Sequence, residues 1–162
     1  PTPFRIKMAK EFGADITINI AEVKDPEERV QMVKDNTIKG MGADVVFECA
    51  GIPQAVREGL DMLRRSGTFV EVGHFTDVGE VSLNPFTHIC NKNVDFQGSW
   101  GGEVEGFVRG LPILENKEFP YEKLTTHKLP LTRLNEIMKV PDQGYILDGK
   151  ESLKITVSSE IS

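Results

Sequence analysis

Small residues recur in this chain where chemistry needs bare backbone. Cys49, Ala50 and Gly51 follow the apolar run 45–47, Val72 and Gly73 close the run 68–72, and Gly98 with Ser99 follows the run 94–97. Glycine tolerates positive φ and lets a ligand approach the main chain closely, so such endings set side by side would form a shelf for a nucleotide. Taken singly, each glycine need do no more than turn the chain. Glu48 stands inside the first of these apolar runs. A tuned carboxylate there could serve as a general base, although capping nearby amides or pairing with a cation is the commoner role. Other chemistries lack their spacing. His74, His88 and His127 are far apart with no HExxH arrangement, and His88 lies two residues from Cys90 without further ligands, so no metal site is expected. Neither GxGxxG nor GxxxxGK[ST] occurs, which argues against dinucleotide binding by this chain alone, and GxSxG is likewise absent.

The elements that would carry these residues follow from periodicity and punctuation. Pro3, the spacing of Phe4, Met8 and Phe12, and Gly13 predict a short helix over 3–12. Ile16, Ile18 and Ile20 alternate with polar residues and predict a strand over 15–20. Asp25, Pro26, Glu27 and Glu28 form a helix start, and that helix should run to about residue 39 before Gly40 and Gly42. The continuous run Val45, Val46, Phe47 reads as a strand covered on both faces, hence a parallel sheet. A helix over 54–65, a strand over 68–72, a short edge strand over 81–83, a buried strand over 94–97 and a helix over 106–117 continue the alternation. Strands over 125–129 and 153–157 with a helix over 131–139 between them suggest a second packing unit. Met32, Met41, Met62 and Met138 read as core filler. The fold class is therefore α/β with a doubly wound parallel sheet, in which ligands bind at the carboxyl ends of the strands.

Composition narrows the partners. The 162 residues are 39% apolar and 27% charged with a net charge of −6, enough for one sizeable core and without the basic stripe that nucleic acid requires. No apolar run approaches the roughly 18 residues of a membrane span. Cys49 and Cys90 make no CxxC pair, which fits a reducing cytoplasm rather than a disulfide framework. The chain opens on Pro1 with a helix starting at once, so sequence upstream is expected to be missing.

The ordered motifs R-I-K-M-A-K-E-F-G-A-D from Arg5, G-A-D-V-V-F-E-C-A-G ending at Gly51 and G-T-F-V-E-V-G ending at Gly73 carry a further reading. V-S-L-N-P from Val81, F-Q-G ending at Gly98, T-H-K-L-P-L from Thr126 and E-S-L-K-I-T-V from Glu151 continue the series. Together they resemble the zinc-containing medium-chain dehydrogenases of alcohols, polyols and threonine, carboxy-terminal part only. The resemblance implies a Rossmann-like sheet lacking its first two strands, with residues 1–118 as a partial NAD(P)-binding domain and 119–162 returning to the catalytic domain. It implies that Ala50 and Gly51 border the adenosine and ribose, and that Val72, Gly73 and His74 reach the nicotinamide. By the same likeness Ser99 and Gly101 meet the carboxamide, Arg5 lies near the adenine ribose and Lys154 neutralises the pyrophosphate. Residues 81–83 correspond to a strand that pairs across a dimer interface, so a homodimer or homotetramer is implied. The cofactor would be NAD or NADP, and the zinc ligands, the glycine-rich loop and the residue that separates NAD from NADP would lie outside this sequence. No residue here is assigned a catalytic role. A lone copy would then expose sheet edges and apolar surface.

The leading expectation is part of an enzyme that moves hydride from an alcohol or polyol to NAD(P)+. Two alternatives stand beside it: a nucleotide- or partner-binding module without catalysis, and a zinc-free, quinone-reductase-like member of the same superfamily.

Overall fold

A computed structural model describes residues 2–102 and 104–161. In chain order it holds α1 (Pro3–Glu11), α2 (Pro26–Asp35), a 3-10 turn (Ile38–Gly40), β1 (Ala43–Glu48), α3 (Pro53–Met62), β2 (Leu63–Glu71), a π turn (Phe86–Cys90) and β3 (Asp95–Gly98). There follow α4 (Val104–Glu115), β4 (Thr125–Pro130), α5 (Leu134–Ile137), β5 (Ile146–Leu147), β6 (Lys150–Glu151) and β7 (Lys154–Ser158). The chain divides into two compact units, one comprising Pro1–Thr17 and Glu103–Ser162, the other Ile18–Gly102.

The continuous unit is built on the parallel sheet β1-β2-β3. α2 starts as its sequence predicts: Asp25 accepts from the Glu27 amide at 3.0 Å, Pro26 occupies the first turn, and Glu27 and Glu28 sit at the positive end of the helix dipole. It stops at Asp35, short of the expected residue 39. There the Asn36 side chain donates to Met32 O at 2.8 Å and the Thr37 hydroxyl to Lys34 O at 2.7 Å, taking carbonyls that further helical amides would have used. α3 ends at Met62 rather than 65 and passes directly into β2, whose Leu63 and Phe69 join Val56 and Leu60 in the core. Leu60 and Phe69 are fully buried, each contributing roughly 1.5–3 kcal/mol of apolar burial. Gly59 makes this packing possible, because a Cβ there would lie 2.7 Å from the Phe69 ring.

Several expectations are corrected. Residues 15–20 form no strand: Asn19 organises a turn instead, its side chain accepting from Ala21 N at 3.0 Å and its carbonyl from Glu22 N and Val23 N at 2.9 Å, and Ile16 and Ile20 stay half exposed. Residues 81–83 form no strand either; Val81 and Leu83 pack on the core without a ladder partner among the described residues. β1 is covered on one face only, with Val46 on the core and Val45 and Phe47 exposed, and β3 is exposed throughout rather than buried. Met41 and Met138 are exposed and fill no core.

The discontinuous unit pairs β4 with β7 in parallel over a core of Leu129, Val140 and Leu147, with α5 supplying Ile137. β5 and β6 form a hairpin whose two turn residues, Asp148 and Gly149, both take positive φ. Asp-Gly is the favoured sequence for such a turn. α1, capped by Thr2, joins this unit through Thr2 Oγ1 donating to Glu151 at 2.7 Å and buries Met8. α4 buries no residue; Val104, Phe107, Val108 and Leu111 are all exposed.

Candidate cofactor-binding site

Parallel pairing brings the carboxyl ends of β1, β2 and β3 level. Glu48 is the register partner of Glu71, and Glu71 that of Gly98. The backbone continues this alignment beyond the strands, Val72 N donating to Glu48 O at 3.0 Å and Ser99 N to Glu71 O at 2.9 Å. The turns Cys49–Ala50–Gly51 and Val72–Gly73–His74 therefore stand side by side.

Two carboxylates hold these turns. Glu48 Oε1 accepts from the amides of Ala50 at 2.8 Å and Gly51 at 3.0 Å; Glu71 Oε1 accepts from the amides of Gly73 at 3.1 Å and His74 at 3.2 Å and meets His74 Nδ1 at 2.9 Å. Burial pushes the Glu48 carboxyl above its ordinary range, opposed by the Ala50 amide and reinforced by the neighbouring Glu71. Burial acts on Glu71 in the same sense, but hydrogen bonds from His74 and Glu48 outweigh it and hold Glu71 below the ordinary range. Burial, with the charges of both glutamates, raises the neighbouring Cys49 thiol.

The turns approach as closely as glycine allows. Gly51 has φ +66°, and a Cβ on it would lie 3.0 Å from the carbonyl carbon of Gly73 and closer still to its oxygen; a Cβ on Gly73 would lie 2.9 Å from the Cα of Gly51. Phe75 and Trp100, both exposed, meet with ring centroids 5.4 Å apart and planes tilted by 40°. Gly101 has φ +72° with open space where a Cβ would stand.

The structure thus gathers Ala50, Gly51, Val72, Gly73, His74, Ser99 and Gly101 in one unit. Arg5 and Lys154 belong to the other. There Arg5 donates to Glu151 at 2.8 Å and Ser152 O at 3.1 Å beneath the Tyr145 ring, and Lys154 opens β7. Glu48, weighed as a general base or a cap from sequence, caps. His88 is buried in the π turn against Asn84, and His127 lies on β4 facing Leu147 O at 3.2 Å.

The family model for zinc-binding dehydrogenases matches residues 1–116. The chain belongs to the zinc-binding dehydrogenase family. It is 34% identical over 155 residues to the erythritol/L-threitol dehydrogenase of Mycolicibacterium smegmatis, covering 96% of this chain and 39% of that protein. To the sorbitol dehydrogenase of Halalkalibacterium halodurans it is 35% identical over 128 residues, 79% of this chain and 35% of that protein. The crystal structure of an alcohol dehydrogenase from Thermotoga maritima superposes with a TM-score of 0.85 at 31% identity, over 96% of this chain and 40% of that one. The chain spans about 40% of the length of the relatives it matches.

Membership of this family implies a dinucleotide and a zinc ion. A dinucleotide fits the strand-end turns, which lie level at the carboxyl ends of parallel strands and where Gly51 and Gly73 pack backbone to backbone with no side chain on either. Zinc does not fit. Glu48, Glu71 and His74 offer ligand atoms within 4.8 Å of one another, but each glutamate already spends an oxygen on two backbone amides and the His74 nitrogen faces Glu71. Among the described residues no helix is long and apolar enough to cross a membrane.

Sequence reasoning missed Glu71, whose partnership with Glu48 only the strand register reveals. It also missed Arg29, buried with Glu58 at 2.6 Å, and Lys92, which caps α3. Asp25 beside a helix start was legible; a cation that serves backbone 30 residues away has no local signal.

Proposed function

We propose that this chain supplies the cofactor-facing part of an NAD(P)-dependent, zinc-type dehydrogenase that oxidises an alcohol or polyol. The observation that carries the reading is the close approach of Gly51 and Gly73 at level parallel strand ends, which leaves a side-chain-free shelf of the kind a dinucleotide requires. Relatives named for erythritol, threitol and sorbitol support a polyol as substrate class. Ala50 and Gly51 border the adenosine and ribose; Val72, Gly73 and His74 face the nicotinamide; the backbone of Ser99 and Gly101 meets the carboxamide. Residues 1–118 form the nucleotide-binding part and 119–162 return to the catalytic domain, in a homodimer or homotetramer working in a reducing cytoplasm, where Cys49 and Cys90 remain thiols.

When bound, NAD(P)+ would supply the redox chemistry as the hydride acceptor. The chain's own residues position it: the glycine turns set its depth and the amide-capped carboxylates fix the turns. Any zinc is held by residues outside this sequence. Titration of the whole dehydrogenase that carries this chain with NADH and NADPH, followed by assays with erythritol and sorbitol as hydride donors, tests the reading. Saturable binding of one dinucleotide and turnover of a polyol are expected; failure to bind either dinucleotide overturns it.

A further inference from the structure

The carboxyl groups of Glu48 and Glu71 present an imbalance that one proton resolves. They are register partners on adjacent parallel strands, with side chains only 2% and 18% exposed. Each holds the two amides of its own turn on one oxygen, and the Gly51 amide also reaches Glu48 Oε2, at a longer 3.2 Å. The second oxygen of Glu71 is buried and accepts from nothing. Among the described residues neither carboxylate pairs with lysine or arginine; His74 Nδ1 faces both, at 2.9 Å from Glu71 and 3.6 Å from Glu48. Two buried carboxylates at such range cannot both ionise cheaply, and an unfilled buried acceptor is costly.

We infer that Glu48 and Glu71 are positioning residues that share a single proton, and that this proton fastens the Ala50–Gly51 turn to the Gly73–His74 turn. Carried on Glu48 Oε2, it fills the open oxygen of Glu71 while Glu48 Oε1 keeps its two amides. The directions of both carboxyls agree with that placement, Glu48 held above its ordinary range and Glu71 below. The other titratable groups facing the pair are the Cys49 thiol on the β1 turn, His74 on the β2 turn and, from α3, Glu58, which is committed to Arg29; on β3 the register partner of Glu71 is Gly98, which has no side chain. Loss of the proton sets two charges against each other beneath the contact of Gly51 with Gly73, and the turns part.

For cofactor binding the consequence rests on the proposed dehydrogenase reading: affinity for NADH falls as pH rises through the titration of the pair. NADH titrations between about pH 5 and pH 9 on the wild type should show Kd rising toward the limit for one linked proton, about tenfold per pH unit. In E48Q the amide oxygen accepts from Ala50 and Gly51 and the amide nitrogen donates to Glu71 without titrating, so the profile should flatten. A flat wild-type profile overturns the inference, as does an unchanged slope in E48Q, which would place the titration outside the pair. Infrared spectroscopy gives a second readout that needs no cofactor. A protonated-carboxyl band should be present in the wild type and lost in E48Q; its absence from the wild type overturns the shared proton. Failure to bind NADH at any pH sinks the dehydrogenase reading instead, and the infrared band then decides on the pair alone.

Discussion

Replacing Lys92 by methionine removes the cap on α3 while keeping the stem that packs beside it. A helix leaves its last carbonyls without intrahelical partners, and here the chain runs from Met62 straight into β2, the Leu63 amide serving only the Gly59 carbonyl. Lys92 Nζ fills that role, donating to Leu60 O at 2.7 Å and Leu63 O at 2.9 Å, with Asp61 O farther off at 3.4 Å. Hydrogen bonds from a charged donor contribute about 1.5–3 kcal/mol each, and part of this is offset because methionine carries no ammonium to desolvate. The net loss should be about 2–4 kcal/mol. Trp100 is the sequence's one tryptophan and lies in the same unit, so its fluorescence reports urea unfolding there. At a slope of about 2 kcal/mol/M, a loss of about 3 kcal/mol lowers the midpoint by roughly 1.5 M. The residue also leaves a signature in pH. Burial, aided by the charge of Lys34 and opposed by Asp61, pulls the Lys92 ammonium below its ordinary range. Between that lowered value and about 10.4 the unfolded chain binds more protons at this residue, so its contribution to stability should grow as pH rises through that window and vanish in K92M. A midpoint within about 0.5 kcal/mol of wild type would show that water satisfies these carbonyls, and would refute the argument.

Three further outcomes are expected. Gly73→Ala forces a methyl against the Gly51 backbone and the Glu48 carboxylate, and should weaken NADH binding by at least about tenfold in a direct titration, whereas equal affinity would deny the close approach any role. Arg29→Met strands Glu58 in its buried site and should cost about 3–5 kcal/mol in thermal or urea unfolding, most of it recovered by adding Glu58→Leu; a double variant as unstable as the single one would contradict the pairing. Because the Glu48 carboxyl is raised in the fold, the stability it contributes is complete below the unfolded value of about 4.3 and is lost as pH climbs through the raised one. Glu71, lowered, acts oppositely, contributing above about 4.3 and losing that contribution as pH falls through its lowered value. A calorimetric pH series on wild type and E48Q should show the first of these slopes disappear in the variant.

The parallel α/β plan was legible because its strands are short apolar runs between helix starts as plain as Asp25-Pro26-Glu27-Glu28. Their edges were less so. Residues 15–20 and 81–83 have the composition of strands, but a strand exists only where a partner accepts its ladder, and no local pattern reports a partner. The stopping of α2 was encoded in Asn36 and Thr37, whose side chains compete for helix carbonyls, and the β5–β6 hairpin in Asp148-Gly149. At the shelf, the glycines could be seen in the sequence because their spacing recurs, whereas the carboxylate pair could not. Glu71 sits in the middle of F-V-E-V-G like any polar residue of an alternating strand, and becomes the neighbour of Glu48 only when β1 and β2 register.

The way α1 is fastened has a consequence for synthesis on the ribosome. Its ties to the unit it belongs to include Thr2 and Arg5 to Glu151, 149 and 146 residues later. A nine-residue helix is too short to persist alone in water. At roughly 5–20 residues per second, the nascent chain therefore carries the α1 segment unfolded for roughly 7 to 30 s while residues 18–102, which are contiguous, can already settle. During that interval Phe4, Met8 and Phe12 form an adhesive stretch that a chaperone would be expected to hold, and a ribosome that stalls before Glu151 releases a product with one finished unit and one that never closes.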